Sequence, residues 1–237
     1  MTNTSTLNID KSFFSTRQKK RCTYTDEEVT TLPFMHASHY QYKEWKTRKH
    51  SLRALSGYIK NKKTFVRILQ VGCGNGWLSA RIAGSIDSEV TGIDIRRYEL
   101  DQAKRVFKNI PNLAFINGHL ADDDLKNEKF DMIIFEASVE LFPSLEEVMH
   151  LAVEHLTLQG EVHIMDSRFY QLNEIAVVRQ QHNLQGLNQM KTEQYYHTLD
   201  ELENFQYKIL HHPNSWKNKL SINKNPFYWI AIKNRYQ

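Results

Sequence analysis

The spacing of apolar positions changes along the chain, and each change marks an element. Between Tyr40 and Ile59, residues Tyr42, Trp45, Leu52, Leu55 and Ile59 recur at roughly helical spacing and predict a helix or helix pair ahead of the main domain. The period then shortens. Val66-Arg67-Ile68-Leu69-Gln70-Val71 is a β-branched run that ends at glycine, and Trp77 to Ala83 reads as the helix that follows it. A strand at Glu89 to Ile93, a helix at Tyr98 to Lys108, a strand at Leu113 to Asn117 and a strongly apolar strand at Phe130 to Phe135 come next.

Ser144, three residues before Glu147, is placed to satisfy the free amides of a helix start, and that helix should run to about His155. Gly160 precedes a fifth strand at Glu161 to Met165, and a long amphipathic helix is expected from about Tyr170 to His182. Thr198 and Glu201 form a second capping box, opening a short helix that leads into strands at Gln206 to His211 and Phe227 to Lys233. Without a long helix between them, these last two strands should pair antiparallel at the sheet edge. The alternation predicts an α/β fold: a doubly wound, mostly parallel seven-stranded sheet with helices on both faces, the last strand antiparallel, and an N-terminal helical segment.

The organisation expected is a basic arm over residues 1–22, a helical lid or cap over 23–64, and one globular domain over 65–237 with an insertion at about 167–204. At 237 residues and 41% apolar content the chain can bury a core without staples. Cys22 and Cys73 lack the paired spacing of a metal knuckle, so no metal is expected and a cytoplasmic setting is. No run has the length of a signal peptide core or a membrane span.

The net charge of +4 conceals an asymmetry, since Met1 to Phe65 holds 13 basic and 5 acidic residues whereas Val66 to Met165 holds 9 and 16. Arg17-Gln18-Lys19-Lys20-Arg21 is the densest basic run and reads as a solvated arm.

In Val71-Gly72-Cys73-Gly74-Asn75-Gly76-Trp77, three glycines at alternate positions join a buried strand to a helix. They let the backbone approach a ligand without β-carbons in the way. Asp94 ends the second strand, where a carboxylate can accept both hydroxyl protons of a ribose. A dinucleotide fingerprint would place its third glycine one position later.

Ile68 to Gly76, followed by Val90-Thr91-Gly92-Ile93-Asp94-Ile95, resembles the first two motifs of the class I S-adenosylmethionine-dependent methyltransferases. The resemblance runs from about Val66 to Lys233 and includes a seventh strand inserted antiparallel beside the sixth. It implies S-adenosylmethionine as cofactor, with Gly72, Cys73, Gly74 and Gly76 along its methionine and ribose parts, Asp94 on the ribose and Ile95 on adenine. His119, beside Leu120, stands where the family usually has an acid on the adenine amino group, and a neutral imidazole nitrogen could accept the same bond. Gln70 replaces the usual acid two residues before the first glycine and still offers an amide oxygen.

Candidate acceptor-side residues lie past the strand ends. Glu136 follows the fourth strand, either lining the cofactor or capping amides, and Asp166 follows the fifth. In the insertion, Arg179, Tyr195, Tyr196 and His197 are an unusually polar and aromatic set. His197 or Asp166 is the expected proton acceptor, with Tyr196 beside them. Amine methylation of nucleic acids would call for an Asn or Asp with prolines and an aromatic after the fourth strand, where this chain has Phe135-Glu136-Ala137-Ser138-Val139. Methyl transfer to an O, N or C atom of a small-molecule acceptor is therefore expected; the alternatives are a protein or a nucleic-acid acceptor, the latter not favoured, or a protein that binds S-adenosylmethionine without catalysis. Asn225-Pro226-Phe227-Tyr228 reads as a strand-start turn, and Tyr58 to Lys62 as surface helix.

Overall fold

The computed structural model describes residues 24–62, 64–184, 195–221 and 224–234. The basic run at 17–21 and Cys22 lie outside the described residues. Among the described residues two helices come first, α1 (Asp26–Thr31) and α2 (Tyr42–Asn61). The alternating part follows: β1 (Val66–Val71), α3 (Trp77–Ala83), β2 (Ser88–Asp94), α4 (Arg97–Val106), β3 (Leu113–Asn117), β4 (Phe130–Glu136), α5 (Leu145–Glu154) and β5 (Leu156–Ser167). The last described elements are α6 (Leu172–Leu184), β6 (Tyr207–His211), α7 (Trp216–Leu220) and β7 (Tyr228–Lys233).

The seven strands form one sheet in the order β3-β2-β1-β4-β5-β7-β6. β1 to β5 are parallel, and β7 runs antiparallel to both β5 and β6. The expected fold class is thereby observed, down to the inserted antiparallel strand. Strand alternation sends Val66, Ile68, Met132, Ile134 and Met165 to one face, where Trp45, Leu55 and Ile59 of α2 and Leu78 and Ile82 of α3 cover them. Leu69, Val71, Ile133, Phe135, Val162 and Ile164 go to the other, against Leu145, Val148, Met149 and Ala152 of α5.

Three expectations need correction. The fifth strand starts at Leu156 rather than Glu161, because its first residues pair with Phe130 across an irregularity between Phe130 and Met132. α6 is helical but not amphipathic: Leu172 and Val177 are exposed, and no residue of 172–181 is buried. Tyr58 and Lys62 are not idle surface positions, since the Tyr58 hydroxyl and the Lys62 ammonium both donate to Glu161 at 2.8 Å. They tie the end of α2 to β5.

Capping follows the chemistry of the sequence. Thr198 and Glu201 make the reciprocal box, opening a 3₁₀ turn at Leu199–Leu202, and the Ser144 hydroxyl accepts the Glu147 amide. The Asn225 carboxamide accepts the Phe227 amide at 3.0 Å just before β7, the strand-start turn expected there.

Candidate functional site

The carboxyl ends of β1, β2, β4 and β5 lie side by side, and the candidate residues of the core gather there. Gly72, Gly74 and Gly76 all have positive φ, at 73°, 55° and 74°. The positive φ at Gly74 favours glycine, and a β-carbon there would stand 2.8 Å from the Glu99 carboxylate and displace that side chain. The loop uses its own amides. Gly72 and Cys73 donate to the Ile93 carbonyl, Gly76 donates to that of Cys73, and Gly74 donates to Asp94 Oδ2 at 2.7 Å.

That accounting limits the ligand. A pyrophosphate needs several amides pointing outward, and four of the amides in this turn already point inward. What the loop does present is backbone without β-carbons beside a buried carboxylate, which suits a neutral polyhydroxylated group such as a nucleoside. Burial would raise the Asp94 pKa, but the Arg96 guanidinium and the Gly74 and Arg96 amides outweigh it and hold the group below its usual range. Cys73 is buried and its thiol is pushed well up, so it is packing rather than a nucleophile.

Ile95 and His119 are half-buried and Leu120 is buried, each following the β2 or β3 end as expected. The backbone amide of His119 donates to Asp122, fixing that turn. Gln70 is buried and its Oε1 accepts from the Ser79 hydroxyl at 2.5 Å, so its oxygen is engaged within the α3 face.

At the β4 and β5 ends a polar cluster is closed by α2. Alternation turns Glu136 to the α2 face, where it meets Arg48 at 2.5 Å, and Arg48 also pairs with Glu44 at 2.9 Å. Glu136 thus faces a guanidinium and not the backbone amides it could have capped. Alternation alone would turn Asp166 to the α5 face. A φ of 53° and a register shift between Met165 and Ser167 bring it round to α2, where Oδ1 accepts from Ser51 at 2.5 Å. Ala137, with φ of 48°, carries similar strain at the end of β4. Asp166 Oδ2 is buried without a hydrogen-bond partner among the described residues. Burial pushes the Glu136 carboxyl up to about 7 despite Arg48, and it raises Asp166 as well.

The insertion residues divide. His197 is buried with Nδ1 3.1 Å from Glu201 and Nε2 3.0 Å from the Val139 carbonyl, so neither nitrogen is open to a substrate. Its place is structural, and the general-base expectation for it is corrected on that ground. Tyr196 is half-buried, edge-on to Tyr170 and covered by the Arg179 guanidinium 5.7 Å from its ring. The Tyr195 amide donates to the Glu140 carbonyl, which packs this segment beside β4.

Arg48, Ser51 and Arg96 were not foreseen. Arg48 and Ser51 sit on the same helical stripe as Trp45, Leu52 and Leu55, and a charged residue on a face otherwise buried is a signal the spacing contained. Arg96 gives no such signal. Among the described residues, no three His, Cys, Asp or Glu side chains group as a metal site, and no helix is long and apolar enough to cross a membrane.

Comparison with known proteins accounts for the arrangement. Residues 68–160 match a family described as a methyltransferase domain. Arsenite methyltransferase of Rattus norvegicus is 25% identical over 114 residues, covering 42% of this chain and 31% of that protein. Malonyl-[acyl-carrier protein] O-methyltransferase of Bacillus cereus is 25% identical over 118 residues, covering 48% and 42%. The chain thus matches about a third to two fifths of the length of these curated relatives.

Among solved structures, the plantazolicin methyltransferase BpumL in complex with a monoazolic desmethylPZN analogue and SAH superposes with a TM-score of 0.61 at 20% identity. The match covers 94% of this chain and 93% of that one. Magnesium protoporphyrin IX methyltransferase from Synechocystis PCC 6803 gives 0.60 at 13% identity over 95% and 96%. The segment that matches a methyltransferase domain holds the glycine turn, Asp94 and the end of β4 with Glu136, while the end of β5 with Asp166 lies beyond it, and the likeness to the solved methyltransferases extends the shared fold to β7.

Proposed function

We propose that this protein transfers the methyl group of S-adenosylmethionine to a small-molecule acceptor held over the ends of β4 and β5. The observation that carries the reading is the inward-bonded glycine turn against the buried Asp94 carboxylate, a cradle for a nucleoside that leaves little for a phosphate. In this reading Gly72, Cys73, Gly74 and Gly76 line the cofactor with backbone, Asp94 accepts the ribose hydroxyls, and Ile95, His119 and Leu120 surround the adenine. Gln70 Oε1 is shared with Ser79, so Glu136 is the stronger acceptor for the methionine ammonium.

When bound, the cofactor supplies an electrophilic sulfonium methyl, and the residues of the chain have the task of aligning an acceptor and removing its proton. Asp166 is suited to that removal because Oδ2 has no hydrogen-bond partner within bonding distance among the described residues, with the Asn225 carboxamide as its nearby polar neighbour, and burial raises its basicity. Tyr196, stacked edge-on with Tyr170, frames the acceptor from the insertion, and α2 acts as the lid. The carboxylates Glu44, Glu136, Glu140 and Asp166 around the strand ends disfavour a phosphate backbone there. Salt-sensitive retention of RNA or DNA, lost on removing residues 1–22, would favour a nucleic-acid acceptor instead.

Calorimetric titration with S-adenosylmethionine tests the first step. Binding should be weakened more than about tenfold by Asp94→Ala, since a paired contact with a charged acceptor is removed. Absence of wild-type binding up to about a millimolar would refute the reading.

A further inference from the structure

Asp94 has no acceptor capacity left. Oδ1 accepts the Arg96 amide at 2.8 Å and Arg96 Nε at 2.9 Å, while Oδ2 accepts the Gly74 amide at 2.7 Å and Arg96 Nη2 at 2.7 Å. A carboxylate offers about four such positions, and all four are filled. Two are backbone amides, one in the glycine turn at Gly74 and one at Arg96 where α4 begins. The other two come from one guanidinium in a forked arrangement, from a side chain only 13% exposed.

Arg96 is held in that position from behind. Its Nη1 lies 3.1 Å from Glu99, one turn along α4. At Gly74 a β-carbon would meet Glu99 Oε2 at 2.8 Å and Arg96 Nη2 at 3.3 Å, so these two side chains cover the face of Gly74 that glycine leaves open. The face without β-carbons and the carboxylate beside it are the two features proposed above to receive the ribose.

We propose that Arg96 is a built-in occupant of the ribose subsite, and that its release from Asp94 sets the protein's affinity for S-adenosylmethionine. The inference rests on the methyltransferase reading. A diol can bind Asp94 only by replacing the two guanidinium bonds, since the two amide bonds belong to the backbone fold of the turn and of the start of α4. Release does not strand the cation, because Glu99 stays within reach of it. Ligand and side chain therefore compete for the same two oxygens, and apparent affinity is the intrinsic affinity scaled by the open fraction. If the side chain holds Asp94 in nine molecules of ten, removing it tightens binding about tenfold.

The test is calorimetry with S-adenosylhomocysteine on the wild-type protein, Arg96→Ala, Arg96→Lys, Asp94→Ala and the Asp94→Ala/Arg96→Ala double variant, with melting curves of each. Arg96→Ala should bind several-fold to about tenfold more tightly. Its melting temperature without ligand should fall, and the rise on adding ligand should exceed that of wild type. Arg96→Lys keeps the charge without the fork and should fall between the two, which preserves the test if the alanine variant does not fold. In the Asp94→Ala background the gain should vanish, which general loosening of the turn would not produce. Wild-type or weaker binding by both Arg96 variants, with wild type itself binding, would overturn this inference alone. No binding by any variant, wild type included, would overturn the cofactor reading and this inference with it.

Discussion

Replacing Glu136 by glutamine should change how stability depends on pH. Glu136 is buried against Arg48, and burial lifts its pKa from 4.5 to about 7 in the folded protein. Below pH 4.5 the carboxyl is protonated folded or unfolded, so it adds no pH dependence there. Between 4.5 and 7 the unfolded chain releases the proton while the folded protein keeps it, so stability falls as pH rises. The full loss is the shift of about 2.5 units at 1.36 kcal/mol each, or about 3 kcal/mol, complete by about pH 8. Glu136→Gln removes that slope. Burial raises Asp166 in the same direction, so each protein alone gives a mixed curve, and the informative quantity is the difference. Urea unfolding of wild type and Glu136→Gln at pH 5, 6, 7 and 8 supplies it. Wild type should lose stability relative to the variant by roughly 2–3 kcal/mol across the series, part of the full loss lying below pH 5. A difference that stays flat, or that grows in favour of wild type as pH rises, would refute the argument that burial outweighs the Arg48 pair.

Two further substitutions probe the supports of the site. Gly76→Ala would force a residue with φ of 74° to carry a β-carbon 2.6 Å from Phe115 Cε1 and 2.9 Å from Ala103 Cβ. A cost of about 2–4 kcal/mol is expected as a lowered melting temperature, and an unchanged melt would refute it. Trp45→Ala removes an edge-on contact with Trp77 at 5.3 Å and a 2.8 Å bond to the Tyr24 hydroxyl. It should cost about 3–5 kcal/mol by urea unfolding, and a cost under about 1 kcal/mol would mean α2 is not held there.

The parts of the fold legible in the sequence are those set by local chemistry. The β-branched run before Gly72, the alternate glycines and the Thr198–Glu201 box each act over a few residues, and all three stand where expected. The site was less legible, because its charges are paired across distant positions. Asp166 reaches Ser51 through 115 positions of sequence and through a backbone inversion that no spacing announces. His197 looked like a base because an imidazole beside two tyrosines suits proton transfer, yet its carboxylate partner is four residues on and its carbonyl partner is 58 back. Arg96 next to Asp94 could have been read as an exposed helix-start charge, and only its forked geometry shows that it occupies the acid.

One helix connects these pairings. Along α2 and its C-terminal cap, Trp45 meets Trp77 behind the glycine turn, Arg48 meets Glu136, Ser51 meets Asp166, and Tyr58 and Lys62 meet Glu161. The lower contacts lie far from the strand ends, but they fix the register of the upper ones. Glu161 is held below its usual pKa by His163, Lys62 and Tyr58 against the opposing effect of burial, and the Trp229 indole donates to His163 at 2.9 Å. A half-turn slip of α2 would break those bonds together with the two at the site, leaving buried charges unpaired at both ends of the helix. Such mutual dependence favours one register over its neighbours more strongly than apolar packing alone would. The segment ahead of the sheet is therefore part of the site's construction: it supplies the counter-ion of Glu136 and the hydroxyl on Asp166, and its far end keeps both in place.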